Sequence, residues 1–503
     1  MSQLGPWRGT GQRAIRVAGQ RGLTDPRVLV AGWLVCVLIV AATAGAGLQL
    51  SLAFKRDVPE TFPYADEHFM YGSIGSEADG GVPYWIWAVL PGLFPEHLPD
   101  RPGEGYARLG FVYESGRHPR PIGTSLRERP VALVALNCAG CHVGTIQDSP
   151  DDKLRFVLGM PSHQFDFEGY LRFLFACAQD ERFTADTLLP AIQRANPQFS
   201  LTDKLLYRFL VIPQTREALL RRAADFSWMD ERPHWGPGRV DTFNPYKARF
   251  GFDFSTDDSV GTVDLPSLWN QRPRRRMWLH WDGNNNAVEE RNRSAAIGAG
   301  ASEDSLDETG LQRVADWIWD LQPPPFPRDR IDPARLASGR DLYQAQCAEC
   351  HALDGARVGQ VVRIDEIGTD PERLNSFTPA LAERMNTLGT GRPWRFSHFR
   401  KTDGYANQPL DGVWLRAPYL HNGSVPTLRD LLRPPEQRPT VFYRGVSTYD
   451  YADLGFVSSG PRAERLGFRF DTRERGNGNG GHTYGTGLSP SEIDDLLEYL
   501  KTL

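Results

Sequence analysis

Two short segments of the chain carry the same arrangement of sulfur and imidazole ligands. They read Cys138-Ala-Gly-Cys141-His142 and Cys347-Ala-Glu-Cys350-His351. With 6 cysteines and 11 histidines in 503 residues, chance would give about 0.0016 copies of Cys-x-x-Cys-His, so the repetition is not accidental. Two thiols at this spacing form thioethers with the two vinyl groups of a haem, and the next histidine presents its imidazole to the iron. The motifs therefore predict two covalently bound haems c, with His142 and His351 as proximal ligands.

Zinc sites and redox-active dithiols also use Cys-x-x-Cys, but they fit these motifs less well. A structural zinc ion needs four ligands at compact spacing, and neither copy has a further cysteine nearby. A dithiol motif does not require a histidine after its second cysteine in both copies. Of the other two cysteines, Cys36 lies in a long apolar run, and Cys177 lies in an apolar stretch where a free cysteine is a small buried hydrophobic residue.

Composition and charge restrict the class of protein. The chain has 57 basic and 62 acidic side chains, a formal net charge of −5, so it lacks the basic footprint of a nucleic-acid-binding protein. The hydrophobic fraction of 40% is typical of a globular protein. The length predicts two or three domains with an ample core.

The N-terminal region does not belong to that globular part. Residues 28–48 are 21 residues without a charge, and residues 1–27 are a tail with five arginines and one acid. As a helix the run would be about 31 Å long, enough to cross a bilayer. Its basic flank places the tail in the cytoplasm. A cleaved signal peptide is the alternative. We therefore expect a transmembrane signal anchor, single-pass in the inner membrane, with the bulk of the chain in the periplasm.

The elements that position the two motifs are expected to be helices joined by long ordered loops. The first haem c domain is predicted at 55–330, where a proline-rich stretch ends it, and the second at 331–503. A capping box at 489–492 starts a C-terminal helix with an apolar face. The predicted fold class is mainly α, with two tandem c-type cytochrome-like haem domains and an N-terminal transmembrane helix.

Further motifs carry a family resemblance. The tandem haem motifs, together with Trp281-Asp282-Gly283 and the segment Ala417-Pro-Tyr-Leu-His-Asn-Gly423, resemble the bacterial di-haem cytochrome c peroxidase and MauG superfamily. The Gly-rich segment around His482 is most similar to the branch of RoxA-type rubber oxygenases. The resemblance covers most of residues 105–503. It implies that Trp281 lies between the haems as an electron relay, with an ordinary core tryptophan as the alternative.

The sequence departs from this family on the far side of the first haem. Peroxidase-type members have a distal Gln and a distal Glu there, and the matching positions hold Arg291 and Ala301. A carboxylate base would have to be Glu303, Glu289 or Glu290. We predict that Arg291 is catalytic and hydrogen-bonds a bound oxygen species, with an exposed arginine as the alternative.

The second haem shows another departure. The family ligates its far side with Met or Tyr, but the matching residue is Pro435. By resemblance to the RoxA type, His482 is predicted as the second ligand of this iron, and His398, His421 and Met385 stay open as alternatives.

Two weaker features concern other groups. Arg272 and Arg274–Arg276 form a basic run that could pair with haem propionates, although a solvated surface is the more ordinary explanation. The family's calcium ion would bind carbonyl oxygens at Arg416 and Pro418, and an arginine beside a cation is unfavourable, so calcium is not favoured.

Two functions are consistent with these residues. The favoured one is a redox enzyme that activates a small oxidant, peroxide or oxygen, at the first haem and transfers electrons through the second. The alternative is an electron-transfer cytochrome in which both irons are six-coordinate, with His163, His280 or Met160 closing the first. In either case we expect an electron donor or acceptor protein in the periplasm as partner, a membrane contact through the N-terminal helix, and no nucleic acid.

Overall fold

The computed structural model describes residues 29–38, 40, 57–114 and 116–503. The chain divides into two compact units, Met1–Asp57 and Val58–Leu503. In the first unit, residues 29–38 and 40 are helical, and the large apolar side chains there are exposed. Both Cys-x-x-Cys-His motifs lie in the second unit.

The predicted membrane anchor is corrected by the structure. Residues 28, 39 and 41–48 of that segment lie outside the described residues, as does the predicted tail at 1–27. Within the described ranges, no helix is both long enough and apolar enough to cross a bilayer. The predicted transmembrane helix and the single-pass inner-membrane location are therefore wrong.

The predicted fold class, mainly α with an N-terminal transmembrane helix, is also wrong, because the described residues contain no membrane-spanning helix and strands support the sites as well as helices. Helices account for 42% and strands for 11% of the described residues. The strands are two to five residues long, too short for their alternation to stand out in the sequence. The predicted boundary between residues 330 and 331 lies inside the second compact unit, and the division into two haem domains stays a prediction.

The α-helices of the second unit are numbered in chain order. They are α1 (Ala65–Tyr71), α2 (Ser76–Gly80), α3 (Tyr84–Leu93), α4 (Cys138–His142), α5 (Phe167–Gln179), α6 (Ala185–Ala195), α7 (Leu201–Leu206), α8 (Ile212–Asp225), α9 (Asn244–Arg249), α10 (Gln271–Arg274), α11 (Val288–Gly298), α12 (Glu308–Ile318), α13 (Leu336–Gln346), α14 (Ala348–His351), α15 (Ile364–Ile367), α16 (Glu372–Ser376), α17 (Pro379–Met385), α18 (Leu428–Leu431), α19 (Gly460–Leu466) and α20 (Pro490–Leu500). A π-helical segment, Tyr207–Val211, joins α7 to α8, and short 3-10 segments occupy Pro95–His97, Gly105–Leu109, Ser227–Glu231, Arg328–Arg330, Val413–Leu415 and Pro435–Gln437.

The strands form small antiparallel sheets. They are β1 (Val58–Pro59), β2 (Val82–Pro83), β3 (Thr124–Glu128), β4 (Leu133–Leu136), β5 (Val143–Ile146), β6 (Arg155–Leu158), β7 (Arg239–Asp241), β8 (Thr262–Asp264), β9 (Val361–Arg363), β10 (Gly404–Ala406), β11 (Val441–Arg444), β12 (Tyr449–Asp450), β13 (Gly455–Phe456) and β14 (Phe468–Asp471). One sheet has four strands in the order β1-β3-β4-β2, with Thr124 opposite Leu136. The others are pairs: β5 with β6, β7 with β8, β9 with β10, β11 with β14, and β12 with β13.

Two parts of the core lie beside the haem motifs. Near the first motif, α5 packs against α8 and buries Tyr170, Phe173 and Leu174 at helical spacing. At the chain's end, α20 begins with a capping box of Ser489 and Glu492, as the sequence predicts, and its apolar face packs against α13. Because α13 leads directly into Cys347, this helix pair positions the second motif.

Candidate haem sites

The first motif forms a short helix that is held at both ends. α4 (Cys138–His142) follows β4, and the side chain of Asn137 caps it by accepting a hydrogen bond from the amide of Ala139 at 3.0 Å. The side-chain nitrogen of Asn137 also donates to the carbonyl oxygen of Gly72 at 3.0 Å. Since β5 begins immediately after His142, the position of the motif is fixed by its neighbouring strands.

His142 has the surroundings of a metal ligand. Its Nδ1 lies 2.9 Å from the carbonyl oxygen of Pro266, which can only accept, so Nδ1 carries the proton and Nε2 keeps its lone pair. Burial lowers the pKa of His142 to about 4, which keeps the ring neutral at pH 7. The thiols of Cys138 and Cys141 are free, and burial raises their pKa values to about 11 and about 12. This donor set fits a covalently bound haem c.

A cavity of about 800 Å³ lies against this motif, with Cys138, Cys141 and His142 in its wall. Such a volume suits a cofactor. Most of the wall is apolar, and side chains of α5, α8 and α11 contribute to it. Its charged side chains are six arginines and four aspartates: Arg222, Arg249, Arg274, Arg291, Arg373, Arg416, Asp79, Asp225, Asp241 and Asp264.

Arg291 lies in the wall of this cavity. Its Nη1 donates to Oε1 of Gln271 at 2.6 Å and its Nη2 to Oδ1 of Asn292 at 2.9 Å, so both partners are neutral amides. Burial lowers the pKa of Arg291 to about 10, and the group is still protonated at pH 7. Its charge contributes, after burial, to the lowered pKa of His142. A positive hydrogen-bond donor therefore lies close to the proximal histidine.

The glutamates considered as bases are held elsewhere. Oε1 of Glu290 accepts from Nδ1 of His398 at 2.6 Å, and Glu303 accepts from the amide of Gly389 at 3.2 Å. Glu289 is exposed. Among the described residues that line the cavity there is no glutamate.

Two histidines and Met160 were considered for the far side of the first iron, and only His280 lines the cavity. Nε2 of His163 bonds to the carbonyl oxygen of Thr145 at 2.8 Å, and its ring stacks on Phe456. Met160 is buried in a separate apolar cluster. His280 has a φ of 62°, and its Nε2 is buried without a hydrogen-bond partner.

The second motif repeats the environment of the first. Cys347 precedes α14 (Ala348–His351), and its thiol and that of Cys350 are free. Nδ1 of His351 lies 2.7 Å from the carbonyl oxygen of Gln408, so Nε2 is available to a metal. Burial lowers the pKa of His351, which favours the neutral, ligating form.

His482 faces His351 at a distance that suits one iron between them. The ring centroids are 6.2 Å apart, with an angle of 41° between the planes. A ligating imidazole nitrogen lies about 2.0 Å from a bound metal and about 1.1 Å from its own ring centre, so two rings on opposite sides of a metal have centroids about 6.2 Å apart. The pair therefore fits bis-histidine ligation of the second haem.

The loop that carries His482 is fixed by Arg438. Nη1 of Arg438 donates to the carbonyl oxygens of Asn479 at 2.6 Å and Gly481 at 2.8 Å, and Nη2 donates to that of His482 at 3.2 Å. His482 has a φ of 46°, a backbone conformation that costs energy in residues with a side chain. Its Nδ1 is buried without a partner, and burial lowers its pKa to about 4. Such a strained, neutral imidazole is typical of a functional position.

The alternative ligands of the second iron lie elsewhere. His398 is bonded to Glu290. Nε2 of His421 lies 3.0 Å from the hydroxyl of Tyr405, and the imidazole ring of His421 stacks on the ring of Tyr405. Met385 packs in a cluster of phenylalanines and lines the first cavity.

Trp281 lies in the cavity wall and bonds to the last residues of β8 and β10, which lead into the carbonyl groups that orient His142 and His351. Its Nε1 donates to the carbonyl oxygen of Asp264 at 2.9 Å, two residues before Pro266. Its own carbonyl accepts from the amide of Ala406 at 2.8 Å, two residues before Gln408. No motif marks the Pro266 and Gln408 carbonyls in the sequence, because every residue has a carbonyl and only the fold selects these two.

Two arginines of the basic run, and Arg416 of the expected calcium site, form ion pairs with aspartates. Arg272 forms an exposed ion pair with Asp320, and only Arg274 of the run lines the cavity, where it pairs with Asp411 at 2.7 Å. The guanidinium of Arg416 pairs with the same Asp411 at 3.2 Å. Calcium binding stays an untested alternative.

A family model described as RoxA-like, cytochrome c-like matches residues 404–443, which include Gln408 and the Ala417–Gly423 segment. Two curated relatives come from Sinorhizobium fredii and are named uncharacterized proteins y4iM and y4iJ. The first is 32% identical over 285 residues, 48% of this chain and 64% of y4iM. The second is 25% identical over 485 residues, 75% of this chain and 78% of y4iJ.

Among the solved structures, the chain is similar to a xenon-pressurised hydrazine synthase from Kuenenia stuttgartiensis. It has a TM-score of 0.26 and 15% identity, covering 49% of this chain and 74% of that one, and nothing is drawn from it. The family match confirms the resemblance indicated by the sequence motifs. Residues 404–443 match a RoxA-like, cytochrome c-like domain, and such a domain implies covalently bound haem c.

Proposed function

We propose that the chain is a di-haem redox enzyme in which a small oxidant reacts at the first haem and the second haem transfers electrons. The observation that carries this proposal is the contrast between the two proximal histidines. His351 faces a second imidazole at ligating distance, whereas His142 faces a cavity of about 800 Å³. A haem bound at His142 would supply an iron that reacts with small oxidants and exchanges single electrons.

The residues of the first cavity have separable roles in this proposal. The Pro266 carbonyl holds His142 in the tautomer that binds a metal through Nε2. Arg291 keeps its proton at pH 7, and the N–H groups that it does not donate to Gln271 and Asn292 would stabilise negative charge developing on the oxidant. Most of the cavity wall is apolar, which strengthens both interactions.

Oxygen is favoured over peroxide as the oxidant. Peroxide chemistry requires a base that accepts and returns a proton beside the iron. The three glutamates that could act in this way bond elsewhere or are exposed. Of the four aspartates in the wall, Asp79 and Asp225 are exposed, and Asp241 and Asp264 are bonded to other groups of the protein. Arg291 is a donor only. The cavity is therefore suited to stabilising negative charge rather than to moving a proton.

Trp281 is proposed as the aromatic group through which electrons pass between the haems. This role comes from the family resemblance, and it is supported by the hydrogen bonds of Trp281 to Asp264 and Ala406, the last residues of β8 and β10. Electrons would enter or leave at the second haem, and the partner is proposed to be another redox protein.

A second candidate function is a pure electron-transfer cytochrome. It is favoured by one observation, the unpartnered Nε2 of His280 in the first cavity. If His280 bound the first iron, both haems would be six-coordinate and a small oxidant would find no position there.

Ligand-binding stoichiometry separates the two functions. The purified holoprotein is first stained for haem after denaturing electrophoresis and weighed intact, which should give two haems per chain. Carbon monoxide is then titrated into the reduced protein. One molecule bound per chain, unchanged in His280→Ala, supports the enzyme. No binding by the wild type, with binding restored in His280→Ala, supports the electron-transfer cytochrome.

A further inference from the structure

One arginine in the wall of the first cavity is buried with most of its hydrogen-bonding capacity unused. Arg373 is 2% exposed, and neither its Nε nor its Nη1 has a hydrogen-bond partner. Its Nη2 lies 3.4 Å from Oδ1 of Asp282, and its guanidinium lies over the ring of Phe243 at 4.2 Å. Buried charged donors without acceptors are unfavourable. These N–H groups therefore indicate an acceptor that is not part of the polypeptide.

A second unpartnered nitrogen lies close to Arg373. Nε2 of His280 is buried and lines the same cavity, and the charge of Arg373 is, after burial, the main cause of the lowered pKa of His280. The ring contact of His280 is with Phe399, at 6.2 Å. Among the described rings no contact joins His280 to His142, in contrast to His351 and His482. His280 therefore lies beside Arg373 rather than opposite the first proximal ligand.

An anionic acceptor suits Arg373 best, because a guanidinium is a cation that can only donate hydrogen bonds. Asp282 does not fill this role, since it contacts Nη2 alone and also accepts from the side chain of Asn284 at 3.1 Å. A haem carries its two propionate carboxylates on the edge opposite its vinyl groups. Because Cys138 and Cys141 would hold the vinyl edge, the propionates must extend across the cavity away from the motif.

We propose that Arg373 and His280 bind a propionate of the first haem, with Nε and Nη1 of Arg373 and Nε2 of His280 as donors. This assignment rests on the proposed attachment of a haem at Cys138 and Cys141. Charge-assisted hydrogen bonds of this kind are the strongest available to a carboxylate. A free carboxylate that enters the cavity offers the same chemistry, and the experiment separates the two sources.

The test measures the reduction equilibrium of each haem in the holoprotein by spectroelectrochemical titration, with the haem count as a parallel readout. A positive group beside a propionate favours the reduced iron, which carries less positive charge. Arg373→Gln should therefore shift the first haem towards the oxidised form by about tenfold, equal to 59 mV for one electron. The second haem should move by less than twofold, and two haems should still be bound.

Matched variants separate a local charge effect from a structural one. Arg373→Lys keeps the charge, so its shift should be less than half that of Arg373→Gln on a logarithmic scale. His280→Ala removes this neutral donor and should shift the first haem in the same direction by a smaller amount, which tests the site even if Arg373→Gln does not fold. Arg272→Gln removes an exposed arginine of the Asp320 ion pair and should change neither haem.

Three results would overturn the assignment, and they are distinguishable. Two haems with unshifted equilibria in both Arg373→Gln and His280→Ala would refute the propionate site alone. A change in the first haem when acetate is added to the wild type, absent in Arg373→Gln, would show that the site takes free carboxylates instead. Fewer than two haems in the wild type would refute the di-haem proposal itself.

Discussion

Replacing His482 by glycine tests the closed second haem, which the proposed function requires. The ring of His482 lies 6.2 Å from that of His351, the spacing of two imidazoles on one iron. Without His482, the iron keeps only the imidazole of His351, whose Nδ1 stays bonded to Gln408. We therefore expect one of the two haems, half of the total, to change from low-spin to high-spin.

Glycine is the better substitution because of the backbone at this position. The φ of 46° is left-handed, which costs about 1–2 kcal/mol in a residue with a Cβ and little in glycine. Arg438 bonds to carbonyl oxygens, which the substitution retains. The loop should therefore keep its position, and His482→Gly should be more stable than His482→Ala by about 1 kcal/mol.

Electron paramagnetic resonance and visible spectra of the oxidised holoprotein measure the change. The space left by the ring matches free imidazole, so millimolar imidazole should restore the low-spin signal in His482→Gly. His398→Ala is the matched control, because that histidine is bonded to Glu290 and should leave both haems unchanged. A low-spin signal that survives in His482→Gly would show that another residue is the ligand.

Three further predictions concern the first haem and the fold around it. Cys138→Ala should abolish stable attachment of one haem, seen by haem staining and intact mass, whereas Cys177→Ala, at a core residue, should leave both haems attached. The same number of haems per chain in the two variants would refute attachment at Cys138. Arg291→Gln should slow the reaction of the reduced protein with oxygen at least tenfold, measured by stopped flow, without altering the low-spin haem, and Arg291→Lys should recover part of the rate; an unchanged rate in Arg291→Gln contradicts its role. Burial lowers the pKa of His163 from 6.5 to about 4, so the unfolded chain binds a proton that the folded one does not as pH falls below 6.5; this group alone should reduce the unfolding free energy by about 3 kcal/mol between pH 7 and pH 4, and chemical denaturation of His163→Gln should show a correspondingly weaker pH dependence.

The sequence was most informative where the chemistry is local. Each Cys-x-x-Cys-His motif lies within five residues, so the motif alone predicts where the donor atoms lie. The capping box at Ser489 is local in the same sense, and the structure confirms it. His482 was reached by family resemblance, and no pattern in the sequence would place its ring opposite that of His351.

Features that depend on tertiary context could not be predicted from the sequence. The uncharged run at 28–48 has the composition of a membrane span, but among the described residues no helix is both long enough and apolar enough to cross a bilayer. The short strands of the second unit contain too few residues for a period to be recognised. Arg373 belongs to no motif, and only its burial and the lack of partners for Nε and Nη1 identify it as a candidate site residue. Arg438 is similarly defined by the carbonyls it binds.

The two haem regions are joined by contacts that fix their separation. The indole of Trp281 donates to the carbonyl oxygen of Asp264, two residues before Pro266, which orients His142. Its backbone carbonyl accepts from the amide of Ala406, two residues before Gln408, which orients His351. Gln147, the residue after β5, forms a β-bridge with Thr448, and Arg444 forms a buried ion pair with Asp264. These contacts join chain segments that are about 180 to 300 residues apart in sequence. Two regions linked by buried pairs and a shared tryptophan cannot change their spacing without breaking those contacts. We infer that electrons would pass between the haems at a fixed distance, and that changes in rate would arise at the first cavity rather than from domain movement.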